Sequence, residues 1–284
     1  MSEFDGLPTL RTPIAVAAFA GWNDAGESAT GVIEHLENEW GATPLAALDP
    51  EDYYDFQVHR PQLSIASGGD TEYIEWPTTR VSYCTPPGAE RDIVLIRGIE
   101  PNMRWRAFCE ELLDLFLALE VDTVVLLGAL LSDTPHTRPL PITGSATDAA
   151  LITRYDITPS RYEGPTGIVG VLQEACGRVD ITSMSFWVQV PHYVGQQPCP
   201  KANLALLHRL EDVLDMRMPL GELAEQAADW ESAVNEAASA DAEMADYVRS
   251  LEQREGEARP HQPSGDELAK MFEKYLRRPG ANPD

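Results

Sequence analysis

Basic residues are scarce in this sequence. Lysine and arginine number 21 against 46 aspartates and glutamates, a formal net charge of −25 over 284 residues. Nucleic-acid binding rests on cationic side chains that displace counterions from phosphates. No such footprint exists, so nucleic acid is excluded as a partner, and anionic membrane surfaces are disfavoured on the same ground. Long apolar runs are missing too: none approaches the ~18 residues of a membrane span. The opening Met1–Gly6 has no basic region leading into an apolar stretch, so a cytoplasmic protein is expected. Cysteine is limited to Cys84, Cys109, Cys176 and Cys199, no two closer than 23 residues, which leaves no CxxC metal or redox pair. A reducing compartment fits, and a chain of this size needs no disulfide.

Hydrolytic and cofactor signatures are also lacking. There is no Gly-x-Ser-x-Gly elbow and no His-Glu-x-x-His. The six histidines, at 35, 59, 136, 192, 208 and 261, are not paired at ligand spacing. No Gly-x-Gly-x-x-Gly follows a strand. No catalytic residue, metal or cofactor is assigned.

What is present is an α/β pattern. Hydrophobic residues make up 43% of the chain and charged residues 24%, the values of an ordinary globular protein. Apolar runs at Ile14–Ala20, Asp92–Arg97, Thr123–Leu127 and Ile181–Val190 alternate with helical spacing at Asp24–Trp40, Trp105–Leu119, Thr166–Cys176 and Lys201–Asp215. Buried strands between helices predict a mostly parallel sheet covered on both faces. Leu140–Ser145 is a further candidate strand and Thr147–Arg154 a short helix. Residues 44–84 differ: short β-like pieces, Leu45–Leu48, Gln57–Val58, Glu72–Trp76 and Arg80–Cys84, are punctuated by Gly68-Gly69-Asp70. They predict an antiparallel section at a sheet edge.

From Pro219 the composition shifts, with 15 acidic and 7 basic residues in the last 66. Leu220, Leu223, Ala227, Trp230, Val234, Ala237, Met244, Val248 and Leu251 keep a 3-4 spacing interrupted by Asp241, a long helix with one apolar seam. A last amphipathic helix carries Leu268, Met271, Phe272, Tyr275 and Leu276. Two domains follow: a core over 1–218 and an acidic helical arm over 219–284. The arm either folds back on its own core or meets another subunit. The acidity itself serves solubility or the recruitment of a basic partner.

Three loops at the ends of strands carry the candidate site. In Gly21-Trp22-Asn23-Asp24-Ala25-Gly26-Glu27-Ser28 two glycines and a hydroxyl have the outline of a phosphate loop, but Glu27 stands where its lysine belongs. A capping box is expected there, with Asp24 accepting from the Glu27 N–H. Two carboxylates in the field of a helix N-terminus repel a phosphate, so ATP and GTP are rejected and amines, amides or a peptide N–H fit better. Arg161-Tyr162-Glu163-Gly164-Pro165-Thr166-Gly167 opens another helix. It is the better anion site, with Thr166 as cap, Gly167 for close approach and Arg161 near. A third strand delivers His192 and Tyr193. Arg97, Glu100, Asp133 and His136 also follow strands, and the carboxyl edge of an open α/β sheet is where ligands bind. A pocket or partner groove lined by Trp22, Asn23, Asp24, Tyr162, His192 and Tyr193 is expected, with Asp24, Glu100, His136 and His192 in one cleft. Each residue also has a plainer reading, as a helix cap, a packing contact or a satisfied internal network.

Gly-Trp-Asn-Asp-Ala-Gly at 21–26, Tyr-Glu-Gly-Pro-Thr-Gly-Ile at 162–168 and Val-Pro-His-Tyr-Val at 190–194, in this order, resemble the proteasome assembly chaperone family in its type-two, bacterial branch. Lys201-Ala202 and the closing Glu273-x-x-Leu276 agree with it. The resemblance implies a phosphorylase/hydrolase-like three-layer sandwich and oligomers; a homo-trimer is expected. It further implies a non-enzymatic scaffold or assembly-chaperone-like binding protein; the alternative is a phosphorylase/hydrolase-like enzyme acting on a small metabolite. Family members that dock on proteasomes carry a hydrophobic-Tyr-x terminus. This chain ends Gly280-Ala281-Asn282-Pro283-Asp284, with Tyr275 nine residues before the last residue, so docking by that mode is in doubt.

Overall fold

The structure is a computed structural model that describes residues 6–65, 72–160 and 162–257. Its elements, in chain order, are β1 (Ile14–Ala20), α1 (Ser28–Glu39), β2 (Thr43–Ala47), α2 (Pro50–Tyr53), β3 (Gln62–Ile65), β4 (Glu72–Glu75), β5 (Arg80–Cys84), β6 (Ile93–Ile99), α3 (Trp105–Ala118), β7 (Thr123–Ser132), β8 (Ile142–Ala146), α4 (Ala149–Arg154), α5 (Ile168–Arg178), β9 (Thr182–Pro191), α6 (Pro200–Leu214), α7 (Leu223–Ser239) and α8 (Ala242–Glu257).

Seven strands form one sheet in the order β2-β5-β6-β1-β7-β9-β8. The four middle strands, β6, β1, β7 and β9, are parallel. β5 and β8 run antiparallel to them, and β2, antiparallel to its neighbour β5, runs in their direction. β1 shows why the sheet needs helices on both sides. Ile14, Val16 and Ala18 join one hydrophobic layer with α1 and α6, while Ala15, Ala17 and Phe19 join another with α3 and α5. Side chains alternate along a strand, so a strand apolar at every position requires two cores. The result is a three-layer sandwich.

Two local readings are corrected. β7 does not end at Gly128 but continues to Ser132, paired with β9 along ten residues. Gly128 is there for space: a Cβ would lie 2.5 Å from the Trp187 ring. The long C-terminal helix is two helices. Asp241 caps the second, its carboxylate accepting from the N–H groups of Glu243 (2.9 Å) and Met244 (3.3 Å). α7 packs along α6 and α8 against α7, and Leu223, Ala227, Val248 and Leu251 are buried within the one chain. The helix expected at 268–276 lies outside the described residues. β3 and β4 form a separate two-stranded hairpin.

Candidate functional site

The carboxyl ends of β1, β6 and β7 meet two helix starts, and each start is closed by a carboxylate from this chain. Past β1, a 3-10 turn at Ala25–Glu27 places Gly26 (φ 63°) and Glu27 (φ 50°) in the left-handed region. That turn moves the start of α1 beyond the expected capping box. The Asp24 side chain reaches over the turn to the N–H of Ala29 at 2.5 Å and of Thr30 at 3.3 Å, and also accepts from the Thr30 hydroxyl. Only its backbone carbonyl accepts from Glu27 N–H, at 3.2 Å. Burial raises the Asp24 acid to about 6, against the lowering effect of those hydrogen bonds. Glu27 is exposed, so the carboxylate that takes the place of a phosphate is Asp24.

The second helix start behaves likewise. Thr166 is not the cap of α5; Gly167 holds that position without a side-chain bond. The Glu100 carboxylate accepts from Ile168 N–H at 2.8 Å and from Asn23 Nδ2 at 2.6 Å. Asn23 is fully buried and its carbonyl accepts from Ala129 N–H at 2.7 Å. One chain of bonds therefore ties β1, β6, β7 and α5. Asn23 Oδ1 has no donor. It faces Gly167, where a Cβ would lie 2.1 Å away. Only glycine admits this approach of backbone to amide.

His136, His192 and Tyr193 form a second group. The Tyr193 hydroxyl lies 2.8 Å from His136 N–H and 2.8 Å from His136 Nδ1. His136 Nε2 lies 3.1 Å from Asn235 Oδ1 on α7. That set makes Nε2 the donor and leaves Nδ1 to accept. Lys201 donates to the His136 carbonyl at 2.5 Å and to Glu231 of α7 at 2.6 Å. Thr137 donates to Glu252 of α8 at 2.5 Å. Rings of His192, Tyr193 and Tyr247 stack edge to face at 5.6–6.1 Å. His192 Nδ1 lies 3.3 Å from Asp133 Oδ1 but is out of line for a hydrogen bond and has no other partner. This group joins the arm to the core. Burial lowers the His136 imidazole below the ordinary histidine value.

Other candidates stand apart. Arg97 pairs with Glu37 at 2.9 Å and Glu34 at 3.7 Å on α1. Tyr162 donates to the Pro165 carbonyl at 2.8 Å, inside its own loop. Gly164 keeps that ring close, since a Cβ would lie 2.5 Å from its hydroxyl. Thr166 is exposed, and Arg161 lies outside the described residues. Asp24 and Glu100 thus belong to the helix starts, and His136 and His192 to the arm contact. Sequence reading missed Asn203 and Asn235. Asn203 Nδ2 donates to the Ser28 carbonyl at 2.9 Å, holding α6 against α1. A lone amide within an amphipathic helix gives no signal of its partner.

Among the described residues no group of three His, Cys, Asp or Glu side chains could hold a metal. No helix there is long and apolar enough to cross a membrane. A depression of about 710 Å³ lies at the ends of α4 and α6, lined by Arg154, Arg209, Arg217 and neighbouring acids. It shares no residue with the candidates.

None of the curated proteins matches the chain. Among solved structures it is similar to a PAC2 family protein from Streptomyces avermitilis, at 54% identity over 83% of this chain and 99% of that one, TM-score 0.78. A proteasome-assembly chaperone homologue from Mycobacterium tuberculosis is 52% identical over the same shares, TM-score 0.76. A second M. tuberculosis protein, of unknown function, is 26% identical over 94% of each chain, TM-score 0.82. The model of the PAC2 family matches residues 18–238, and the chain belongs to that family.

Proposed function

We propose that this protein is a non-enzymatic, oligomeric scaffold with an assembly-chaperone-like role, acting in the cytoplasm through protein surfaces. The observation that carries this reading is where the strand-end polar groups go. Asp24 and Glu100 close helix starts, and His136, Tyr193 and Lys201 hold the arm. An acid–base site needs such groups within reach of a substrate; here their bonds are internal. Among the described residues, apolar surface is left uncovered on the β3–β4 hairpin, with Leu63 and Ile65 each 67% exposed, a feature of interaction surfaces. Likeness to the M. tuberculosis proteasome-assembly chaperone homologue supports a proteasome-related partner. The unit is a homo-trimer of the 31.3 kDa chain. Light scattering at micromolar concentration tests the assembly: three times the chain mass is expected, and a single-chain mass refutes it. Mixing with purified proteasome α-type subunits tests the role. A co-eluting complex is expected, and its absence with the trimer intact removes the proteasomal partner.

A further inference from the structure

The main sheet ends in β2 and β8, and the hairpin in β3 and β4. Unpaired edges invite foreign strands, and proteins blunt them with charge, proline, bulges or cover. β2 contains Pro44, which has no N–H to offer, and its register shifts between Pro44 and Ala46. β8 is covered: Gly144 N–H donates to the Thr158 carbonyl at 2.9 Å, and the Gly144 carbonyl accepts from Ser160 N–H at 3.2 Å. β4 begins and ends in glutamate, Glu72 and Glu75. β3 has none of these devices. Gln62-Leu63-Ser64-Ile65 carries no charge and no proline, and it pairs with β4 in unbroken register. Alternate residues of β3 turn their N–H and C=O groups outward. Among the described residues these groups have no partner.

The same hairpin region holds most of the uncovered apolar surface. Of nine exposed large hydrophobic residues among those described, six (Val58, Leu63, Ile65, Tyr73, Ile74 and Trp76) lie between positions 58 and 76. The register sets Leu63 opposite Ile74 and Ile65 opposite Glu72, so side-chain alternation puts Leu63, Ile65 and Ile74 on one face. A hairpin of two strands is marginal in water, and a third strand is the smallest addition that changes this. A strand aliphatic at every second position would extend the apolar face. Charge decides what else it carries. Glu75 is paired with Arg80 at 2.7 Å. Glu72 is exposed and has no ion pair among the described residues, and the chain as a whole carries −25. The complement is therefore basic. A second copy, bringing another −25, is the poorer match for this edge.

We propose that the outer edge of β3 takes up an extended segment of a partner protein as a third strand, aliphatic at alternate positions and basic at its ends. Main-chain bonds along the edge supply the attachment, and the alternate side chains supply the selectivity. This rests on the scaffold reading above and gives that surface a partner of stated chemistry. Edge and face are separate, so such a strand leaves the apolar face free for contact between copies.

The probe is a fluorescent hexapeptide, Lys-Val-Thr-Val-Thr-Lys, titrated with the full chain and read by anisotropy. Saturable binding is expected, at least tenfold tighter than for the same peptide with glutamate at both ends. N-methylation of its valines blocks one edge of the peptide strand, and of its threonines the other. One methylated peptide should lose at least tenfold in affinity and the other less than threefold. Ile65→Lys, at an exposed position of β3, should weaken binding at least tenfold with the thermal midpoint unchanged. Three results overturn the proposal. They are no binding, equal loss from both methylated peptides, and hydrogen-exchange protection of residues 62–65 that grows with chain concentration in the absence of peptide. The last would give the edge to a second copy. Light scattering and mixing with proteasome α-type subunits separate this proposal from the reading beneath it. A trimer that co-elutes with those subunits but refuses the peptide removes the strand site alone. A single-chain mass that binds the peptide supports the strand site and removes the trimer.

Discussion

Asp24 is held by three donors yet sits at 7% exposure. Desolvation wins, and its acid rises from 3.8 to about 6. The folded state therefore binds a proton more readily than the unfolded chain between these values. Its contribution to stability is fully present below about 3.8 and is lost as pH rises through 6, by at most about 3 kcal/mol. Asp24→Asn cannot ionise and should remove this slope. Urea unfolding at pH 4.5 and 7.5 should show the wild type gaining on the variant toward acid by 1–3 kcal/mol; equal differences at both pH values would show that the carboxylate titrates normally. Gly167 is a steric counterpart. An alanine Cβ would meet the buried Asn23 amide at 2.1 Å, so Gly167→Ala should cost roughly 1–3 kcal/mol as overpacking does. A loss below ~0.5 kcal/mol in the same assay would mean that the Asn23–Glu100 network can shift.

The arm and the strand ends are joined through His136, a core histidine at 1% exposure. Facing it are Tyr193, Lys201 on α6, Trp230, Glu231 and Asn235 on α7, and Glu252 on α8. Burial lowers its imidazole, with Lys201 adding to the effect and the two glutamates opposing it. A lowered histidine stabilises above the unfolded value near 6.5, and that stability is lost as pH falls through the folded value. Protonated Nδ1 would also confront the hydroxyl that now donates to it. Hydrogen exchange in α7 should quicken several-fold between pH 7.5 and 5.5, after correction for intrinsic rates, while α3 stays protected; His136→Gln should abolish the difference. Such coupling was only partly legible in the sequence. Strands such as Ile14–Ala20 were readable because every residue of a strand between two helix layers must be apolar. The polar residues of the site were also visible, standing after strands. Their partners were not: Glu100 reaches Ile168 across 68 positions, and His136 reaches Asn235 across 99. Spacing carries no information at such separations. Asp241 was read as an interruption because an N-cap and a polar gap look alike until the chain turns.

At the scale of the whole molecule, charge and apolar surface oppose each other. Each chain carries −25, so the copies of the proposed trimer would repel over their full surfaces, while its association would draw on apolar surface such as Leu63, Ile65 and Ile74. Salt acts differently on the two. The Debye length falls from ~10 Å at 0.1 M to ~3 Å at 1 M, removing repulsion between acidic surfaces, while apolar burial needs no counter-charge. Any local attraction between opposite charges would be screened too, but exposed pairs contribute only ~0–1 kcal/mol. The proposed trimer should therefore tighten with salt. Sedimentation between 0.05 and 0.5 M NaCl should show the concentration for half-assembly falling at least threefold. A rise instead would mean that opposite charges hold the copies together and that the apolar hairpin is not the dominant contact.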